Sequence, residues 1–285
     1  MHLLNKINIH HLLFSILGIL LISFYPYQTL DQVYSLGIHP LILTVFIAIT
    51  TIGLGHGALD GKIVWELSIK KNSRFKIYLI YLFIVLVSIS IWLAFPTIGL
   101  FILFLMSIYH FGDSDLKNYS LNKLQKVTWG FLVTMIPIFF HAETVNSIFV
   151  NLAEYQMNKI IIMGIQILFI FCLMGWLRIA FKKMLWSETS VLFVMLISGY
   201  YLDPLLWFGY YFCFYHGMRA LMNHQFQLKK DTIWMVLFSI PVLIVWIVCN
   251  ELIQVSFIEL LFPSLFALTV AHMQLNNIIR LVHVC

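Results

Sequence analysis

Charge is what this chain has least of. Lysine, arginine, aspartate and glutamate make up 10% of its 285 residues, against about a quarter in an ordinary soluble domain. That scarcity excludes a water-soluble globular enzyme. The formal net charge is +5, yet nucleic-acid binding is excluded too, because the basic residues form no stripe and fall in short clusters between apolar runs. Cysteine is sparse as well. Cys172, Cys213, Cys249 and Cys285 show no CxxC pair and no disulfide-like spacing, so they read as core filler. The first apolar run leads into "FYPYQTL" with no small-x-small cleavage site, which makes it a retained helix and not a signal peptide. No internal repeat, low-complexity linker or separate soluble domain interrupts the chain.

What the sequence has instead is apolar length. Hydrophobic residues make up 61% of it, and runs of about 18 or more, each long enough to cross a bilayer as a helix, recur from end to end. The polar breaks divide these runs into ten spans, at roughly 10–27, 40–62, 77–95, 97–112, 124–141, 158–181, 188–202, 204–222, 232–250 and 252–278. The expected fold is all-α, a polytopic membrane helical bundle forming one transmembrane domain over residues 1–285. The break at "YLDPLLW" (201–207) decides the count, since Asp203-Pro204 either kinks one helix or separates two. With a cytoplasmic N-terminus and ten spans, every one of the 17 lysines and arginines except Lys159 falls on the cytoplasmic side. Merging the seventh and eighth spans would send Arg219, Lys229, Lys230 and Arg280 to the wrong side. The reading is therefore ten spans with both termini cytoplasmic, in the cell's inner membrane.

This topology brings four histidines to one depth. His56 in "GLGHGALDG", His110 in "SIYHFGDSD", His216 in "FCFYHGMRALMNH" and His272 in "ALTVAHMQLNN" lie near the cytoplasmic ends of the second, fourth, eighth and tenth spans. Each has a polar neighbour on the same helix face: Asp60 at i+4, Asp113 at i+3, Arg219 at i+3 and Asn276 at i+4, respectively. Ionisable groups at membrane depth are costly and by default point to function. An imidazole cluster with few carboxylates suits iron, zinc or copper better than magnesium or calcium. Asp60 and Asp113 are the carboxylates expected to orient such imidazoles, although Asp113 and Asp115 equally suit the start of a solvated loop. His10, His11, His39, His141, His224 and His283 read as interfacial. Gly53, Gly55, Gly57 and Gly61 serve either close helix packing or the entry of a flat ligand beside His56. The aromatic run "WFGYYFCFYH" (207–216) is either lipid-facing or the wall of a hydrophobic tunnel.

The blocks "GLGHGALDG", "YHFGDSD", "FYHGMRALMNH" and "LTVAHMQL" occur in an order that resembles the Brp/Blh family of membrane-bound β-carotene 15,15′-dioxygenases, from residue 53 to about 275. The resemblance implies a multi-span helical protein that holds Fe2+ through histidines and cleaves the central double bond of β-carotene with O2 to give two retinal. It also implies release of retinal into the lipid bilayer, with a microbial opsin as a possible acceptor. By motif position, His56, His110 and His216 would be iron ligands. The family's third block reads HxxRH, whereas "HGMRA" here has Ala220 at the second histidine position. His224 is two turns from His216, about 12 Å along the axis, so His272 becomes the substitute fourth ligand. Ala271 and Gly55 stand where proline is common.

Three readings follow. The site works with His56, His110, His216 and His272; or it binds iron with an open position; or it has lost iron and leaves a non-catalytic carotenoid- or retinal-binding protein. A secondary transporter would show midplane polar residues and internal symmetry, which this chain lacks. A membrane desaturase would show HxxxH and HxxHH clusters, also absent.

Overall fold

The computed structural model describes residues 2–24, 47–53, 55–67, 69–223, 227, 230–237, 240, 244–245, 248 and 257–284, with the side chain of His56 and a few others outside the described set. Among the described residues there are helices and connecting turns and no strand. Helix α1 spans His2–Phe24. A π-helical turn, Ile49–Gly53, leads to α2, Gly55–Glu66. Helices α3 (Lys71–Ala94), α4 (Pro96–Asp115), α5 (Lys123–Ala153), α6 (Lys159–Lys183) and α7 (Trp186–Tyr201) follow. Helix α8, Pro204–Gly209, continues through a π-helical stretch, Tyr210–Gly217, into α9, Met218–Asn223. Helix α10, Phe257–Val284, closes the described chain.

Among the described residues, five helices are long and apolar enough to cross a membrane: Lys71–Ala94, Pro96–Asp115, Lys123–Ala153, Lys159–Lys183 and Ile258–Val282. Their outer faces carry Phe83, Leu105, Ile160, Phe171 and Phe181, all mostly exposed. Apolar surface on this scale is untenable in water and ordinary against lipid. The expected break between the seventh and eighth spans is present. Leu202 is extended, and the Asp203 carboxylate accepts the Leu205 N–H at 2.8 Å with Pro204 in the first turn of α8. Parts of the first, second, ninth and tenth expected spans lie outside the described residues, as do Cys249 and Cys285. Cys172 and Cys213 are free thiols in the bundle.

Helix α5 carries two features that shape the interior. Its start is a capping box, with Asn122 Oδ1 accepting the Gln125 N–H at 2.9 Å and Gln125 Oε1 accepting the Asn122 N–H at 3.0 Å. Its middle is bent, because Pro137 has no N–H to donate and His141 leaves helical geometry at φ −131°, ψ 44°. Side chains hold the bend in place: Gln166 Nε2 donates to the Phe139 carbonyl at 3.2 Å, and the His141 ring bonds the Gly199 carbonyl of α7 at 2.9 Å. His141 is thus tied into the bundle and not interfacial. Upstream of the bend, α5 packs on α4 backbone to backbone. A Cβ on Gly112 would collide with the Lys126 carbonyl oxygen, and one on Gly130 with the Ile108 carbonyl oxygen. No side chain can rotate to relieve those clashes. Gly130→Val should therefore cost about 3 kcal/mol, the upper end for overpacking. Gly164→Val, where the added atoms meet open space, should stay within about 0.5 kcal/mol. Thermal unfolding of both variants in detergent checks the contrast.

Candidate functional site

Three imidazoles meet where α4, α10 and the π-helical stretch converge. The ring centroids of His110 and His216 are 5.1 Å apart, and those of His110 and His272 are 5.3 Å apart, both pairs edge to face. His216 is fully buried, while His110 and His272 are partly buried. Each of the outer two rings has a carboxylate behind it. His216 Nδ1 donates to Asp115 Oδ1 at 2.8 Å, and His272 Nδ1 to Asp60 at 2.9 and 3.0 Å. A carboxylate only accepts, so both rings hold their proton on Nδ1 and present the Nε2 lone pair.

The carboxylates are themselves held. Asp115 is fully buried and also accepts from Tyr211 Oη at 2.7 Å and Trp129 Nε1 at 3.1 Å. Asp60 accepts from Tyr81 Oη at 3.1 Å. The π-helical stretch explains how one helix sends two donors to Asp115. In an α-helix, residues five apart point about 140° away from each other. A wider turn closing i→i+5 bonds brings Tyr211 and His216 onto one side. Gly53, in the other π-helical turn, lies where any side chain would strike the Phe212 ring, which lets the two π segments pack.

A second buried polar cluster pins the same helix. Arg219 Nη1 donates to Tyr215 Oη at 2.7 Å and to His11 Nε2 at 3.1 Å, while Nη2 reaches Glu188 Oε1 at 3.4 Å. With Nε2 accepting, His11 donates from Nδ1 to Ser187 Oγ at 2.7 Å. Tyr119, in the α4–α5 loop, donates to Glu188, and burial pushes its phenol above its ordinary pKa, so it stays a donor. His10 bonds the Phe214 carbonyl inside the π-helical stretch at 2.8 Å. His10 and His11, expected at the interface, are instead 8% and 5% exposed and join α1 and α7 to the helix that carries His216.

The imidazoles stand at one end of a cleft among α4, α5, α8 and α10. Counted with its open mouth, the cleft encloses about 1440 Å³ of empty space, and apolar side chains dominate its walls. Trp207, Phe208, Tyr211 and Phe212 contribute one wall, so the aromatic run is a tunnel wall and not a lipid belt. Gly57 also lines it, with nothing within 4 Å of an added Cβ.

The expected site residues divide as follows. The structure brings His110, His216, His272 and Asp60 together, and Asp60 serves a histidine on another helix, α10. His56 lies in α2, one turn from Asp60, with its side chain outside the described residues; His39 and His224 and the side chain of His283 also lie outside them. Asp113 does not join the cluster. Its side chain is 58% exposed and pairs with Lys126 at 2.7 Å. Asp115, two residues on, stands at His216 in its stead. The α-helical i+3 rule pairs Asp113 with His110 on one helix, but the carboxylates used here act across helices. Asp115 was legible only as the second acid of "GDSD". Ala220 is buried at the position of the expected second histidine.

The donor set fits a first-row transition metal, since neutral imidazoles backed by carboxylates are the usual ligand arrangement for one. At a metal–nitrogen distance of about 2 Å, two imidazoles sharing a metal have centroids about 4.5–5.2 Å apart, near the observed spacings. Among the described residues, no group of three or more His, Cys, Asp or Glu closes into a ligand set, and the His56 imidazole is not among them.

A family model for beta-carotene 15,15′-dioxygenase matches residues 47–280. A beta-carotene 15,15′-dioxygenase from the uncultured marine bacterium 66A03 is 31% identical over 189 residues, covering 63% of this chain and 66% of the relative, just under two thirds of its length. No solved structure matches the chain.

The two aspartates of "GDSD" should behave differently. Asp115→Ala leaves three buried donors without their acceptor and should cost about 3 kcal/mol or more. Asp113→Ala removes a surface pair and should stay within about 0.5–1 kcal/mol. Thermal unfolding of the two variants checks this, and equal losses would contradict it.

Proposed function

The chain belongs to the beta-carotene 15,15′-dioxygenase family, and on that premise we propose that it cleaves the central double bond of β-carotene with O2 to give two molecules of retinal. The observation that carries the reading is the union of an imidazole cluster with a long apolar cleft: His110 and His272 line both. Atoms and electrons balance without a further reductant. The 15,15′ carbon–carbon double bond breaks, each carbon takes one oxygen atom as a carbonyl, and O2 is the oxidant.

In this reading His56, His110, His216 and His272 hold Fe2+, with His272 in the role that Ala220 cannot fill. Iron so held supplies the redox chemistry that lets O2 react with a closed-shell polyene. The chain's own part is orientation and exclusion of water. Asp115 and Asp60 bond Nδ1 of His216 and His272, which would leave Nε2 as the atom that meets the metal. Tyr211, Trp129 and Tyr81 hold those carboxylates still. The aromatic walls align the polyene so that one bond lies beside the imidazoles, a positioning effect. Ten spans with both termini cytoplasmic, in the cell's inner membrane, would let the carotenoid enter from the bilayer and retinal pass to a microbial opsin. The buried Ala220 favours one rival, a carotenoid- or retinal-binding protein without iron; metal content separates the two.

Expression in bacterial cells that accumulate β-carotene should yield retinal, measured by chromatography, and the purified protein should contain iron. His110→Ala should abolish retinal formation, while Asp60→Asn and Asp115→Asn should lower it about 10–100-fold, the usual cost of disturbing a ligand's hydrogen-bond partner. Well-expressed protein with intact carotene and no iron would move the assignment to carotenoid binding.

A further inference from the structure

We propose that Ser107, Thr134 and Thr269 form a hydroxyl site for the aldehyde oxygen of the product. The inference rests on the carotenoid-cleaving reading and adds how product is told from substrate. β-Carotene is a hydrocarbon with no atom that accepts a hydrogen bond, whereas each retinal carries one carbonyl oxygen.

A hydroxyl on an apolar helix commonly donates to the carbonyl four residues back. Ser15, Ser90, Thr128 and Thr189 do so in this bundle. Ser107 on α4 and Thr269 on α10 line the cleft and make no hydrogen bond among the described residues. Thr134 on α5 lines it too, and its Oγ1 is buried without a partner. Other polar groups on the same walls are already engaged. Tyr81 donates to Asp60, Tyr211 to Asp115 and the Trp207 indole to the Met195 carbonyl. A hydroxyl kept from water is costly to leave unpaired. An acceptor carried by a ligand would complete these three.

Their placement selects the product's oxygen. Ser107 and Thr269 precede His110 and His272 by three residues each, about 4.5 Å along the axis and on the same helix face. From both histidines the lining continues toward lower residue numbers, so the two hydroxyls stand one turn into the cleft at about one height. Thr134 comes from the opposite wall. The close approaches of Gly112 to Lys126 and of Gly130 to Ile108 set α4 and α5 antiparallel. One turn beyond Gly130, Thr134 is level with Phe104, within a turn of Ser107. It stands near the start of an α5 lining that continues from Val133 past the bend to Phe149. Cleavage beside the imidazoles creates a carbonyl oxygen at this end of the cleft. His272 gives its Nδ1 proton to Asp60 and so offers that oxygen no donor, whereas the hydroxyls do. With two lone pairs, the carbonyl can accept from two of them. These bonds exist only once oxygen is on the carbon, so they hold retinal and do nothing for β-carotene.

Metal-free protein in detergent tests this without catalysis. It is titrated with retinal and with the hydrocarbon that has a methyl group in place of the aldehyde, and binding is read from quenching of tryptophan fluorescence. Wild type should bind the aldehyde about tenfold more tightly, as one net hydrogen bond would give. Ser107→Ala and Thr269→Val should each reduce that preference and together abolish it, with affinity for the hydrocarbon unchanged. Thr269→Ser, which keeps the hydroxyl, should retain it. The infrared carbonyl stretch of bound retinal should move toward the free-aldehyde position in the double variant. A merely structural role would weaken both ligands alike. Equal affinity of wild type for the two ligands, or a preference that survives in the folded double variant, would overturn the hydroxyl site. Should the double variant not fold, the single variants decide by the same comparison. Wild-type protein that makes no retinal from β-carotene would count against the proposed function, and the two titrations would then judge the hydroxyls alone.

Discussion

A carboxylate buried in an apolar bundle is tolerable only if donors surround it, and Asp115 imposes that condition on this structure. It sits on α4 with no exposed surface and accepts from Trp129 on α5 and from Tyr211 and His216 on the π-helical stretch. An unmet buried charge would cost several kcal/mol. Three segments are therefore held at fixed distances by one side chain. The fully buried glycine contacts between α4 and α5 serve the same end, because Trp129 and Asp115 meet only if those backbones touch. Asp60 repeats the arrangement on a smaller scale, joining α2, α3 and α10 through His272 and Tyr81.

The remaining architecture keeps that arrangement and the cleft compatible. The bend of α5 at Pro137 and His141 lets one helix line the cleft both before and after the kink, with Val133 and Ile138 on one limb and Val145 and Phe149 on the other. The Arg219, Glu188 and His11 cluster clamps the end of the His216 helix to α1 and α7, so that helix is fixed from two sides. A buried ion pair of this kind contributes little net stability but is costly to break. Its evident effect is to hold a geometry.

Much of the site was legible from residue types and spacing. Membrane character follows from apolar run length alone, and His110, His216 and His272 were found because a helical topology puts them at one depth. Asp60 was found for a partly different reason from the one that operates: spacing joined it to His56, whereas its described bond is to His272. Asp113 was chosen by the i+3 rule and is turned to the surface beside Lys126. Asp115 was passed over because acids near a helix end usually face solvent. His10 and His11 read as interfacial for the same reason, since a span that begins at residue 10 gives no hint of Arg219 beside them.

Sequence by itself determined the apolar, all-helical class, the break at Asp203-Pro204 and the choice of the three histidines that meet. These depend on local terms: side-chain transfer to lipid, proline's missing N–H and the rise per residue. Tertiary structure alone decided which carboxylate meets which imidazole and at which end of the cleft the imidazoles stand. Those depend on the rotation of one helix against another, and here a π-helical stretch resets that rotation between Tyr211 and His216. A pattern read at 3.6 residues per turn carries no sign of that reset, because packing against neighbouring helices stabilises the wider turn.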